Sequence, residues 1–312
     1  MKFKISPTYF RAFRWFIFYL LWVWIVPTII LTLLTYLKYI SFRFGLSADF
    51  TLKSIGEQYS SNEIIILGFT SASFLLFARS LNPIILLDTH ELLPLRFVRE
   101  RLGKGLIRGA TIIAVFVTVL TGFQYYKYLG IYLNLDNLAL TGSDMLIRIL
   151  AIALFAYSEE FIFRQKIFRT LNLSMPTLLS AVTTSGLYLL IKIIQFDLSH
   201  MQVITLFLFS GFLCLLAAKD KTFVTGAGIS IALFVSIHIL FSLPIFGNEF
   251  SGLLMLKYLE PLTADTRGMK FAQFLSGGQA GPMASFGLQA LFLVFIVYYL
   301  IRRLKPVIKG LR

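Results

Sequence analysis

Residues 15–37 run for 23 positions without a single charged side chain. As a helix this stretch would measure about 34 Å at about 1.5 Å per residue, longer than a hydrocarbon core of about 30 Å. Seven further apolar segments follow, at about 64–78, 109–126, 145–165, 176–195, 202–218, 223–243 and 284–301. Only 14% of the 312 residues are charged, against about 25% in a soluble domain. The pattern predicts an all-α, polytopic membrane helix bundle with about eight transmembrane helices. The second and sixth segments are short, which suggests tilted or re-entrant elements. Eight crossings would put both termini on one side.

Loop charge sets the expected orientation, because Lys and Arg accumulate on the cytoplasmic face. With the N-terminus inside, twenty basic residues fall on the inner side and seven on the outer side. The inner set includes Arg164, Lys166 and Arg169; the outer set is Lys38, Arg43, Lys53, Lys127, Lys257, Arg267 and Lys270. Both termini are therefore expected in the cytoplasm; the expected setting is a bacterial inner or plasma membrane. Lys2, Lys4, Arg11 and Arg14 precede an apolar run that is too long and too aromatic for a cleavable signal, so the run reads as an anchor. The net charge of +14 is spread in short clusters between apolar segments. That distribution argues against nucleic acid and for the lipid bilayer as partner. The one cysteine, Cys214, excludes an internal disulfide framework and reads as a small core hydrophobe.

Three regions follow: 1–144, with N-terminal transmembrane helices and a basic cytoplasmic loop; 145–245, a central core; and 246–312, an outer loop with a C-terminal transmembrane helix. The inner loop, about 79–108, has the pattern of a surface-lying amphipathic helix. The outer loop, about 244–283, carries Pro244, Pro261, Gly277, Gly278, Gly281 and Pro282, and reads either as a lid or as a plain connector.

Inside the fourth apolar segment stand two adjacent acids, Glu159 and Glu160, with Arg164 close behind. Charge inside a membrane is costly enough to point to function. Helical spacing stacks Glu160 on Arg164 as an ion pair and leaves Glu159, about 100° round, as the unpaired acid. Later segments add Lys192, His200 and His238, and Ser242 follows His238 by four residues. Counted along their helices, Glu159, Lys192 and His238 reach a similar depth, while His200 falls nearer the outer mouth. Each also has a plain structural reading. The Glu pair and Arg164 would lock helices together, His238 would be a hydrogen-bonded core residue, His200 a loop residue, and Lys192 a snorkelling side chain. Arg148 is expected to snorkel or to pair with Asp144, and Trp15, Trp22 and Trp24 to face lipid or the interface. His90 reads as part of a solvated face.

The run Glu159-Glu160-Phe-Ile-Phe-Arg164 resembles the EExxxR motif of the CPBP family, which comprises CAAX-type proteases and bacteriocin-processing or immunity membrane proteins. His238 followed by Ser242, preceded by Gly226-Ala-Gly228, is similar to that family's final HxxxN motif with serine in place of asparagine. Its middle FxxxH motif matches Phe196 to His200 literally. The usual spacing points instead to Tyr188 through Lys192, where lysine replaces histidine. The resemblance spans about residues 145–245 and implies a CPBP-like core. It implies an intramembrane endopeptidase acting on a membrane-embedded or membrane-proximal protein or peptide. Glu159 would activate water, Glu160 and Arg164 would position it, His238 would stabilise the oxyanion, and His200 or Lys192 would complete the site. The alternative is a catalytically degenerate scaffold or immunity partner, which Lys192 and Ser242 favour. A transporter explains intramembrane charge equally well, but the chain shows no internal repeat. No cofactor is expected. Zinc is not favoured, since HExxH spacing is missing and Lys192 would repel a divalent ion.

Overall fold

A computed structural model describes residues 7–43, 52–81, 95–131, 138–245, 253–258 and 266–309. The first helices are α1 (Pro7–Arg43), α2 (Leu52–Leu81), α3 (Leu95–Gly122) and α4 (Leu138–Glu160). A π-helical stretch (Phe161–Phe168) and the single turn α5 (Arg169–Leu171) prolong α4. Then come α6 (Thr177–Gln195), α7 (His200–Asp220) and α8 (Val224–Val235), the last continued by a second π-helical stretch (Ser236–Leu240). The chain closes with α9 (Thr266–Ser276) and α10 (Phe286–Lys309). The architecture is the expected all-α membrane bundle, and each of the eight apolar segments falls on a helix.

Among the described residues, four helical stretches are long and apolar enough to cross a membrane: Thr8–Leu33, Arg96–Gly122, Thr177–Gln195 and His200–Asp220. Shorter apolar helices cover Glu63–Ala78, Val224–Leu240 and Phe286–Arg302. The helical exteriors carry Trp24, Phe69, Leu76, Leu150 and Val294 in the open. A surface of that kind suits acyl chains, not water.

Several expectations change. The apolar segment at 64–78 belongs to a 30-residue helix, α2, so its shortness reflects polar flanks rather than a short element. Residues 95–108, assigned above to a surface-lying helix, form the first half of α3, continuous with the third apolar segment. His90 and Pro261 lie outside the described residues. Lys166, counted above with the inner loops, is buried, with its ammonium 5.1 Å from the Trp15 ring centroid and 5.3 Å from that of Phe161. Trp15 is accordingly a core residue and not a lipid-facing one, while Trp24 is exposed as expected. The Arg148–Asp144 pair forms, at 2.9 Å.

One antiparallel strand pair was not foreseen: β1 (Tyr126–Ile131) against β2 (Leu254–Tyr258), with a bulge between Tyr128 and Gly130. It draws the loop after α8 against the end of α3. Tyr126 donates a hydrogen bond to the Ser276 carbonyl at 2.9 Å, which ties α9 to the sheet. The Gln202 amide, on α7, donates to the carbonyls of Ile245 and Ala280. Gly281, at φ 83°, lies so close to Pro244 that a Cβ would come within 2.2 Å of its carbonyl oxygen. The described part of the long loop after α8 is thus folded onto one end of the bundle.

Helices α3 and α8 approach one another closely. Cβ atoms built on Gly105 and Gly228 would stand 2.3 Å from the Thr225 oxygen and 2.5 Å from the Leu102 oxygen. Small residues are how membrane helices reach such contact, because lipid supplies no hydrophobic force between them. Gly105→Val or Gly228→Val should cost about 1–3 kcal/mol through overpacking. Gly103→Ala, where a Cβ meets nothing within 4 Å, should be close to neutral. Thermal unfolding of the purified protein in one detergent ranks the three.

Candidate functional site

Four fully buried charged groups gather where α4, its π-helical continuation and α6 meet. Two arise next to one another on α4, since Glu159 and Glu160 end its regular part. Glu160 pairs with Arg164, four residues on, at 3.3 Å from Oε2 to Nε. Ser230, on α8, donates to the other Glu160 oxygen at 3.1 Å. Gly226 keeps α8 low over this carboxylate, since a Cβ there would stand 3.1 Å from Glu160 Oε2.

Glu159 is not the free acid that its helical position suggests. Lys192, from α6, places Nζ 2.7 Å from Glu159 Oε1, and neither side chain is more than 2% exposed. Tyr188, one turn earlier on α6, donates to Oε2 at 3.4 Å. The same tyrosine ring lies 4.9 Å from the Arg164 guanidinium and 5.4 Å from Lys192 Nζ. Tyr188 thus joins the two ion pairs, offering its face to both cations and its hydroxyl to one acid. The sequence marked Tyr188 only as the start of the shifted middle motif and gave no sign of this bridging role.

The π-helical geometry places the rest. The Arg169 amide reaches back five residues to the Arg164 carbonyl, the pattern of a π turn. A π turn holds one residue more than an α turn and so rotates the side chains beyond it relative to regular helical expectation. This explains why Lys166 faces Trp15 inside the bundle. The second π stretch carries His238 and is closed by the Phe241 amide on the Ser236 carbonyl, again five residues back.

His238 is buried, but it faces a separate small cavity. The walls are Glu63 and Leu67 from α2, Ile152 and Phe155 from α4, Phe196, Phe234, His238 and neighbouring aliphatics. About 30 Å³ is open to the centres of water-sized molecules, room for about two waters. Glu159 is not among the lining residues; Phe155, one helical turn before it, is. The Phe155 ring also lies 4.1 Å from Lys192 Nζ, so it borders both the cavity and the ion pair. Glu63 is the acid that the sequence reading missed. It stands at the polar start of an apolar stretch, where a glutamate normally marks the end of a span.

Two expected members are elsewhere. His200 is the first residue of α7, exposed, beside the Ser199 cap whose side chain accepts from the Gln202 amide. It is far from the buried state that a site residue needs, and of the two second-motif candidates Lys192 alone reaches Glu159. Ser242 does not share a helical face with His238, because the helix ends at Leu240. Ser242 adopts φ 53° and donates its hydroxyl to the Leu254 carbonyl at 2.9 Å.

Among the described residues no three of His, Cys, Asp and Glu come together as a metal would require. Cys214 is buried and free of any disulfide.

No protein-family model, curated protein or solved structure matches the chain.

Removing one partner of a buried pair leaves an uncompensated charge, at a cost of about 3–5 kcal/mol. Lys192→Met should show a loss of that order in detergent unfolding. The double variant Lys192→Met with Glu159→Leu should recover most of it, since apolar replacement of a whole buried pair is commonly neutral.

Proposed function

We propose that the chain is a non-hydrolytic membrane protein built on a CPBP-like core, a scaffold or immunity partner for another membrane protein. Its setting is a bacterial inner membrane with both termini cytoplasmic. Removing the buried Arg164 and Lys166 from the loop tally leaves eighteen basic residues against seven, so the charge asymmetry behind that orientation persists. The observation that carries the functional reading is the 2.7 Å contact between Lys192 and Glu159. A general base must present a lone pair to the water it activates. Here one carboxylate oxygen faces an ammonium and the other a phenol. Ser242, the counterpart of the family's last polar residue, spends its hydroxyl on a loop carbonyl.

A second reading, an intramembrane endopeptidase, draws support from the His238 and Glu63 cavity, which has room for about two waters and lies one helical turn from Glu159. In it Glu159 would be the base once released by Lys192. Glu160 and Arg164 would hold it in place, and His238 would donate to the oxyanion formed on a membrane protein or peptide substrate.

Mass spectrometry of membrane peptides from cells carrying the wild type, Glu159→Gln and His238→Ala at matched expression separates the two. The scaffold reading expects the same products in all three. Loss of one product in both variants, with the proteins still folded, would establish hydrolysis instead.

A further inference from the structure

We propose that Lys127 and Lys257, on the two-stranded sheet, bind the phosphate of an anionic phospholipid headgroup. The register places these two lysines directly opposite one another, and both are exposed. Like charges in that position oppose strand pairing, yet the pair lies within the ladder, between Tyr126 with Tyr258 and Tyr128 with Leu256. Among the described residues neither lysine has a carboxylate partner. Opposed Cα atoms in an antiparallel pair are about 4.5–5.5 Å apart. Two four-carbon stems starting at that spacing converge readily on one phosphate, whose charge would turn the repulsion into attraction.

The position of the sheet selects a lipid as the source. β1 begins four residues after the end of α3, which is long and apolar enough to span a membrane. The lysines therefore stand at headgroup depth. Around them Phe123, Tyr128, Leu129 and Ile131 are exposed, a mixture of aromatic and aliphatic groups that suits the membrane–water boundary. On the opposite face Tyr126 and Tyr258 are buried, and the Tyr126 hydroxyl is fixed to the Ser276 carbonyl. The strands are thereby anchored with the two ammonium groups turned away from the bundle.

Native mass spectrometry of the full-length protein, released from nanodiscs holding phosphatidylglycerol and phosphatidylcholine, tests this. The wild type should retain phosphatidylglycerol preferentially. Lys127→Gln with Lys257→Gln should lose retention by about 5-fold per lysine, while Lys127→Arg with Lys257→Arg should keep it. In phosphatidylcholine alone the Gln double variant should unfold at the same temperature as the wild type or a higher one, because the repulsion is gone. Equal retention by the Gln double variant, or its destabilisation in phosphatidylcholine, would overturn the site. Displacement of the lipid by dilute inorganic phosphate would overturn the headgroup as its occupant.

Discussion

Everything central in this bundle is arranged around a carboxylate pair that cannot stay in an apolar interior without cations. Two adjacent acids at the end of α4 repel one another, and each is neutralised from a different direction: Glu160 by Arg164 on the same chain segment, Glu159 by Lys192 across the gap to α6. The local pair is set by sequence spacing alone. The long-range pair is not, and it forces α6 into one rotation and one depth against α4, since a shift of either would strand two charges where water cannot reach. Tyr188 adds a fixed orientation, facing both cations while its hydroxyl meets Glu159. The result is a cluster of two acids and two cations with little freedom, each charge held against a partner of opposite sign.

The two π-helical stretches explain how helices that carry such groups still pack. Each follows directly on a regular helix and rotates the side chains beyond it. After Glu160 the rotation brings Lys166 under Trp15, joining α1 to the core; near the end of α8 it turns His238 toward Glu63 of α2. Lys166 in this way fastens α1 to the central helices, and α2 shares with them the walls of the His238 cavity. A single hydrophobic cluster, running from Trp15 and Tyr19 through Phe163 and Tyr188 to Phe234 and Phe292, continues the same union in apolar terms.

Apolar length and charge fraction made the bundle readable in the sequence, because twenty-odd residues without charge leave few alternatives. The Glu160–Arg164 pair was equally readable, as an i, i+4 contact depends on nothing distant. What stayed hidden depends on long-range geometry. Depth counting brought Lys192 level with Glu159, but level is not contact, and it could not foresee that the lysine would occupy the acid. It placed His238 at the same height too, yet the imidazole opens on a neighbouring cavity. Ser242 was misplaced because a regular period was carried two residues past the helix end. The strand pair was missed because Tyr126 and Tyr258 lie in loops far apart in sequence, where no local pattern announces a partner. Glu63 was passed over because a span-edge glutamate resembles any solvated one.

The glycine seam between α3 and α8 has a consequence for biosynthesis. Gly105 and Gly228 are separated by 122 residues of chain, and α4, α6 and α7 are made between them. When α3 first enters the bilayer its partner has not been translated, so the bare backbone groove must wait against lipid until α8 arrives. This contact of the core thus closes late, as a post-insertion docking step. A nascent chain halted before residue 224 would be threaded through the membrane yet unassembled, the kind of intermediate that quality-control machinery recognises.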